Sequence, residues 1–188
     1  MDRFEKTLSA IDKICNELLV PYAVIGGVAV LIHNYRRTTK DVDVTLIVEI
    51  DEIEKVGKLL LKYFKSLYAK PIDFFEKYFV LPVIFEPTNL RIDFSAGVSE
   101  FDKSVIGRRK RVRFKSTDFY VCSLEDLILY KLIAARPQDI ADVEKLFQLN
   151  KQAGIDKAYL SKVAKQFIDL ERSDVFEKLN KYLQQYHL

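Results

Sequence analysis

The sequence predicts an α+β fold, with a mixed sheet flanked by helices in residues 1–122 and a helical region packed on it in residues 123–188. Short β-branched runs alternate with amphipathic segments in the first part, whereas only a helical period follows Ser123. Hydrophobic residues make up 49% of the 188 positions, including 13 Phe and 10 Tyr, which is enough for a substantial core. This composition excludes a disordered or low-complexity chain.

The order of the elements follows from periodicity and from turn residues. In the first part we predict a helix over 2–19 that ends before Pro21, a strand over 22–25, a glycine turn and a helix over 28–35. A strand over 41–48 and a helix over 52–67 follow, and then strands over 79–85 and 90–94. A helix over 99–107 leads to a hairpin of 111–114 with 119–122. Ser123 with Asp126 resembles a helix N-cap. From there the pattern is helical, with breaks at Pro137 and Gly154.

Several classes of protein are excluded by simple counts. The two cysteines, Cys15 and Cys122, cannot form a disulfide framework and have no metal-ligand spacing, so we expect both in the core. The longest apolar stretch, residues 22–32, has eleven residues and two glycines, which is too short to span a bilayer. The N-terminal residues lack the continuous apolar run of a secretory signal. We therefore expect a cytoplasmic protein without a membrane partner.

Charge is concentrated in one segment. The formal net charge is only +3, but residues 103–115 carry seven basic residues and no acidic one. Removing these seven charges from the total leaves −4 for the rest of the chain. On a hairpin, alternation would place Arg109, Arg111 and Arg113 on one face, where they could follow a phosphate backbone. The alternative is a solvated edge strand that charge protects from aggregation.

The pattern with the clearest chemical content combines glycines and carboxylates. Gly26-Gly27 lies between a predicted strand and helix, and after thirteen intervening residues Asp41-Val42-Asp43 begins the next strand. Residues i and i+2 of a strand share a face, so Asp41 and Asp43 can converge on a hard divalent cation. Asp93 offers a third carboxylate on a later strand, and a glycine turn lets backbone N–H groups approach phosphate. The pattern indicates a metal-nucleotide site.

These residues resemble the DNA polymerase beta-like nucleotidyltransferase superfamily, whose signature is Gly-Gly or Gly-Ser, then Asp-x-Asp, then a third acid on a later strand. Gly27 replaces the commoner Ser, which removes a hydroxyl contact to phosphate. The stretch 122–142, with Lys131, Arg136, Asp139 and Asp142, is similar to the helical region of abortive-infection type nucleotidyltransferase toxins and their relatives. Residues 151–188 add nothing to the resemblance.

The resemblance implies a nucleotidyltransferase-like fold and a metal-dependent transfer of a nucleoside monophosphate from an NTP to an acceptor hydroxyl, with release of pyrophosphate. Asp41, Asp43 and Asp93 would be the catalytic residues and would bind Mg²⁺ or Mn²⁺. Nucleotide contacts would come from Gly26, Gly27, Arg37, Lys40, Lys131 and Arg136. Lys131 could equally be a solvated surface lysine. Arg136, Asp139 and Asp142 could be ordinary surface pairs, and Arg37 and Lys40 could simply offset the acids.

The acceptor and the biological setting stay open at this point. The basic segment favours an RNA acceptor, such as tRNA, over a protein acceptor, and the resemblance suggests the toxin of a toxin-antitoxin pair with an antitoxin protein as partner. One alternative is a catalytically silent nucleotide- or RNA-binding module, against which the three acids argue. Another is a small-molecule (antibiotic) nucleotidyltransferase, for which an acidic acceptor pocket would be expected.

Overall fold

The computed structural model describes residues 2–152 and 154–187, and its chain divides into two compact units. The first unit comprises residues 1–28 and 38–122, and the second comprises residues 29–37 and 123–188. The chain therefore passes from the first unit to the second and back before the C-terminal helices begin. The inclusion of residues 29–37 in the helical unit was not predicted from the sequence.

The first unit contains one mixed seven-stranded sheet with helices, as the predicted α+β class requires. Its elements are α1 (Arg3–Glu17), β1 (Tyr22–Ile25), β2 (Asp41–Ile47), a 3₁₀ turn (Ile50–Glu52), α3 (Ile53–Leu60), β3 (Lys65–Ser66), α4 (Pro71–Tyr78), β4 (Val80–Phe85), β5 (Leu90–Gly97), α5 (Glu100–Arg108), β6 (Lys110–Phe114) and β7 (Thr117–Val121). Helix α2 (Gly26–Ile32) begins in this unit and continues into the second.

The strand order across the sheet is β3-β4-β5-β2-β1-β7-β6. Strands β2 and β5 pair in parallel over seven residues of β2, and β1 pairs antiparallel with β2. Alternating side chains of β2 and β5 supply the buried layer, with Val42, Val44, Ile92 and Phe94 fully inaccessible to solvent. The opposite face of the same strands is left for the polar residues of the candidate site.

Local signals explain where helices begin. Asp2 and Glu5 form a reciprocal capping box at the start of α1, and Ser99 with Asp102 does the same for α5. Pro71 occupies the first turn of α4, where its missing N–H costs no hydrogen bond. These caps fix the ends of helices whose apolar faces cover the sheet.

The predicted helix over 52–67 is wrong in its second half. Helix α3 ends at Leu60, and the chain then forms the short strand β3 and the helix α4, neither of which was predicted. Strand β3 has only two residues and pairs with β4 through Lys65 and Ser66. A strand this short carries no measurable alternation, so the helical period of the preceding residues dominates the sequence signal.

The second unit contains four further helices: α6 (Leu124–Ala134), α7 (Pro137–Asn150), α8 (Lys157–Gln166) and α9 (Ser173–Gln185). Ser123 caps α6 by accepting from the Asp126 amide, as the sequence predicted. The α6 helix is mostly buried and packs against α7, α8 and α9, with Leu127, Ile128, Leu129 and Leu132 fully inaccessible. Among the described residues, no helix is both long and apolar enough to cross a membrane.

Candidate active site

Three predicted carboxylates meet on one face of the first unit's sheet. Asp41 and Asp43 begin β2, and the parallel register places Asp43 directly beside Asp93 on β5. Adjacent strands lie about 4.8 Å apart, so these two acids are immediate neighbours. Like charges facing each other across strands are destabilising unless a cation compensates them. The register therefore produces an acidic site where the sequence predicted one.

Arg91 is a residue of this site that the sequence analysis missed. It is the register partner of Asp41, and its Nε and Nη2 atoms donate to the two carboxylate oxygens of Asp93 at 2.9 Å each. These hydrogen bonds from Arg91 to Asp93 are the main reason why the pKa of Arg91 is raised, with smaller contributions from Asp41 and Tyr68. The sequence signal that could have identified Arg91 was its spacing from Asp93, because residues 91 and 93 of one strand share a face.

The donor chemistry of this site fits a hard divalent cation. Mg²⁺ and Mn²⁺ prefer carboxylate oxygens, and Asp41, Asp43 and Asp93 offer three carboxylates on one face. In residues 2–152 and 154–187, however, no group of three or more His, Cys, Asp or Glu side chains is arranged as a ready metal site. The pair with Arg91 is a physical reason for this, since it directs both Asp93 oxygens to the guanidinium.

Gly26 makes room for one of the three carboxylates. It follows β1 in a left-handed conformation, with φ of +60°, and Ile25 before it is the register partner of Asp43. A Cβ at position 26 would lie 1.9 Å from Oδ2 of Asp43 and 2.6 Å from its Cγ. Only glycine therefore allows the Asp43 carboxylate to occupy this position. The sequence assigned Gly26 to phosphate binding and could not reveal this second role.

Three predicted nucleotide contacts lie in an ion-pair cluster of the second unit whose two carboxylates are buried. The Nζ atom of Lys131 lies 2.8 Å from Asp139 and 2.9 Å from Asp142, and its side chain is only 7% exposed. Arg37 binds Asp142 through its Nε at 2.9 Å, and Arg136 binds Asp139 at 2.6 Å. The alternative that Lys131 is a solvated surface lysine is therefore wrong. Its phosphate contact stays a prediction.

Opposing effects set the charge state of this cluster. Burial raises the pKa of Asp139, but hydrogen bonds from Arg136 and Lys131 outweigh burial, so the pKa lies below its ordinary value. Asp142 is fully inaccessible to solvent and also accepts from the Gln138 amide at 3.0 Å. Two buried carboxylates thus lie among three cations, and the ion pair of Arg37 with Asp142 ties Arg37 to α7.

The three arginines predicted to bind nucleic acid have different surroundings. Arg111 makes a bidentate pair with Asp12 at 2.9 and 3.0 Å and lies over the Tyr120 ring. Arg109 precedes β6 and also lies over Tyr120, with its centre 4.5 Å from the ring centroid. Arg113 is exposed on β6 and donates to the Lys115 carbonyl. Their contact with a phosphate backbone stays a prediction, although Arg111 already has an anionic partner.

The comparisons with known proteins decide the family. A family described as "Nucleotidyltransferase of unknown function (DUF6036)" matches residues 2–186. The chain belongs to this family. It is therefore a nucleotidyltransferase, as the resemblance implied. A search of curated protein sequences gave no match.

Solved structures agree with this family at the level of the fold. An antigenic nucleotidyltransferase-like protein from Paracoccidioides brasiliensis is 16% identical, with a TM-score of 0.54 over 95% of this chain and 92% of that chain. The antibiotic-resistance factor ANT(2'')-Ia is 13% identical, with a TM-score of 0.60 over 92% and 98%. The lincosamide antibiotic adenylyltransferase LnuA is 18% identical, with a TM-score of 0.50 over 77% and 97%.

Replacing Gly26 by alanine tests the packing of Asp43. We expect Gly26→Ala to lower the free energy of unfolding by about 2 kcal/mol, because the substitution combines a left-handed backbone with a collision against the carboxylate. Urea denaturation measures the change. Gly107→Ala is the matched control, since a Cβ there meets no atom within 4 Å. An equal effect of both substitutions would contradict the role assigned to Gly26.

The lowered pKa of Asp139 predicts a specific pH dependence. A carboxyl group whose pKa is depressed by folding stabilises the protein above its ordinary pKa of 3.8 and loses that contribution as the pH falls below it. We expect Asp139→Asn to cost about 3 kcal/mol at neutral pH and progressively less below pH about 4. Urea denaturation at several pH values measures this. Asp51→Asn, at an exposed position, should change stability little at any pH, and a pH-independent cost for Asp139→Asn would refute the prediction.

Proposed function

We propose that the protein transfers a nucleoside monophosphate from an NTP to an acceptor hydroxyl in a reaction that requires Mg²⁺ or Mn²⁺. The observation that carries the proposal is the register of β2 and β5, which aligns Asp43 with Asp93 and Asp41 with Arg91. Three carboxylates and one guanidinium on one open face leave a local charge of −2 for a cation to compensate. Membership of a nucleotidyltransferase family supplies the reaction class.

The proposed reaction forms and breaks one bond at the α-phosphorus. The acceptor oxygen bonds to that phosphorus, the bond to the oxygen that bridges to the β-phosphate breaks, and pyrophosphate leaves. Bound divalent ions would neutralise charge on the phosphates and lower the pKa of the acceptor hydroxyl. Asp41, Asp43 and Asp93 would hold the cation, Asp93 would also receive the hydroxyl proton, and Gly26 keeps Asp43 in position. Lys40 and Gly27 are the remaining candidates for phosphate contacts in the first unit.

The proposed role of Asp93 is favoured when Arg91 releases it. While Arg91 donates to both oxygens of Asp93, it offsets the negative charge of that carboxylate and leaves fewer lone pairs for a metal or a proton. The pair is exposed, with Arg91 50% and Asp93 19% accessible, so its rupture costs little. A triphosphate is a stronger anionic partner for the freed guanidinium. Arg91 therefore couples the arrival of nucleotide to the availability of Asp93.

Two classes of acceptor are in competition. An RNA acceptor such as tRNA, or a protein acceptor, fits the basic segment 103–115, and the resemblance to abortive-infection toxins adds a toxin paired with an antitoxin. A small molecule is the second candidate. It is favoured by the similarity to ANT(2'')-Ia, which extends over nearly the whole length of both chains. A second structure of that protein, with a TM-score of 0.53, contains adenylyl-2''-tobramycin. The ion pair of Arg111 with Asp12 also favours a small molecule, because this arginine already has an anionic partner.

Removal of the β2 carboxylates tests the catalytic proposal. We expect Asp41→Asn and Asp43→Asn each to reduce transfer roughly 10³-fold, because each removes a charge that holds the cation. The assay incubates each α-³²P-labelled NTP with Mg²⁺ or Mn²⁺ and with total RNA, a protein lysate or a panel of aminoglycosides and lincosamides. Asp51→Asn is the matched control. Nucleotide binding without transfer to any acceptor would favour the catalytically silent alternative and refute the proposal.

Removal of Arg91 tests its competition with the metal. We expect Arg91→Met to bind Mn²⁺ about fivefold more tightly than the unaltered protein, since an exposed ion pair of this kind is worth about 1 kcal/mol. Electron paramagnetic resonance of free Mn²⁺ measures the affinity without any turnover. Arg113→Met, an exposed arginine on β6, should leave the affinity unchanged. Unchanged or weaker Mn²⁺ binding by Arg91→Met would show that Arg91 does not hold Asp93 away from the cation.

A further inference from the structure

Exposed apolar side chains are concentrated in one short segment of the first unit. Of ten large hydrophobic residues exposed among the described positions, five lie within residues 63–79. They are Tyr63, Leu67, Tyr68, Tyr78 and Phe79. This segment contains β3 and α4, the two elements that the sequence analysis missed. An apolar concentration of this kind on a surface indicates a binding site.

Three aromatic rings of this segment are in contact and form what we call the aromatic stack: Tyr68, Phe74 and Tyr78. The rings of Tyr68 and Phe74 are stacked, with centroids 4.0 Å apart and an interplanar angle of 22°, whereas the Phe74 and Tyr78 rings are 4.6 Å apart and tilted by 45°. The two outer rings are 45% and 53% exposed. Ring contacts within the stack restrict the rotamers of the exposed tyrosines. They present preformed aromatic surfaces to solvent at a small further cost in entropy.

Tyr68, at one end of the aromatic stack, follows a residue that lies near the acidic site in the sheet. The Leu67 amide donates to the carbonyl of Pro82 at 3.2 Å, and Pro82 is the register partner of Asp93. With strands about 4.8 Å apart, the backbone at Leu67 lies about 10 Å from that of Asp93. Tyr68 follows directly and contributes to the electrostatic environment of Arg91. A molecule whose hydroxyl reaches the carboxylates can therefore touch the stack.

The charge of the same segment favours a polyanion. Residues 62–78 contain four lysines and two acids, so their net charge is +2 in a chain whose acidic site lies beside them. Lys77 lies over the Tyr78 ring, with its Nζ 5.0 Å from the centroid. Aromatic surfaces interspersed with cations are the arrangement that binds single-stranded nucleic acid, since bases stack on rings while lysines contact phosphates. A cationic antibiotic would gain nothing from these lysines.

We infer that the aromatic stack binds bases near the 3' end of a single-stranded RNA acceptor and directs its terminal hydroxyl to Asp93. This inference rests on the proposed function, because it names the acceptor of the same site. It locates RNA binding on the β3 edge of the sheet, whereas the basic segment 103–115 lies at the β6 edge. Stacking is tolerant of base identity, so the site selects a single-stranded end and not a sequence.

The experiment measures RNA binding apart from catalysis. A fluorescein-labelled ten-nucleotide single-stranded RNA is titrated with the full chain, without NTP, and its anisotropy is followed. We expect Tyr68→Ala with Tyr78→Ala to weaken binding at least tenfold, because two stacking surfaces are lost. Tyr68→Phe with Tyr78→Phe should bind as the unaltered protein does, since stacking needs the rings and not the hydroxyls. Leu170→Ala is the control, an apolar residue outside this segment that is 66% exposed and should not affect binding.

Three outcomes overturn the inference. The unaltered protein does not bind the RNA, or the double alanine variant binds the RNA as tightly as the unaltered protein does. In the third outcome, the double alanine variant keeps RNA binding but loses NTP binding. The last result would assign the stack to the base of the NTP. A transfer assay then separates this inference from the proposed function. If both hold, the double alanine variant raises KM for RNA and leaves kcat unchanged. If RNA binding depends on the stack but no NTP supports transfer, the proposed function fails and the binding site stands.

Discussion

The parallel pairing of β2 with β5 is the constraint on which the candidate site depends. It places two aspartates side by side on a sheet whose opposite face is a fully buried layer of Val42, Val44, Ile92 and Phe94. A one-residue slip of this register would bury the carboxylates and expose that layer, so hydrophobic packing fixes the acids in position. The energy that holds the charges together is therefore hydrophobic, and it is supplied from the other side of the sheet.

The same constraint explains why a positively charged side chain lies beside the two acids. Repulsion between Asp43 and Asp93 is tolerated because Arg91 supplies a positive charge in the adjacent row of the sheet. An exposed arginine on a strand can neutralise different anions in turn, since its long side chain can leave one anion for another. A buried ion pair such as that of Lys131 with Asp142 lacks this freedom, because separation of its charges leaves both without water. The two clusters thus combine the same residue types in opposite ways.

The sequence predicted the parts of the fold that produce a repeating pattern. The strands β2 and β5 and the β6-β7 hairpin alternate over five to eight residues, and the shared face of Asp41 and Asp43 on β2 followed from spacing alone. The missed features depend on contacts between segments that are distant in sequence. The two-residue strand β3 forms because it pairs with β4. Lys131 is buried because it pairs with carboxylates of α7. Position 26 requires glycine because Asp43 on the neighbouring strand occupies the space of a Cβ.

The passage of the chain between its two units limits how the protein can be divided. Residues 29–37 group with the C-terminal helices, although 85 residues of the first unit separate them from Ser123 along the chain. A fragment that starts at Ser123 would lack Arg37 and leave the inaccessible Asp142 with one fewer cation. A fragment that stops at Cys122 would keep residues 29–37 without the C-terminal helices with which they group. Neither half is therefore a natural unit of expression. The chain crosses between the two units three times instead of once, and an insertion between the units would have to take account of all three crossings.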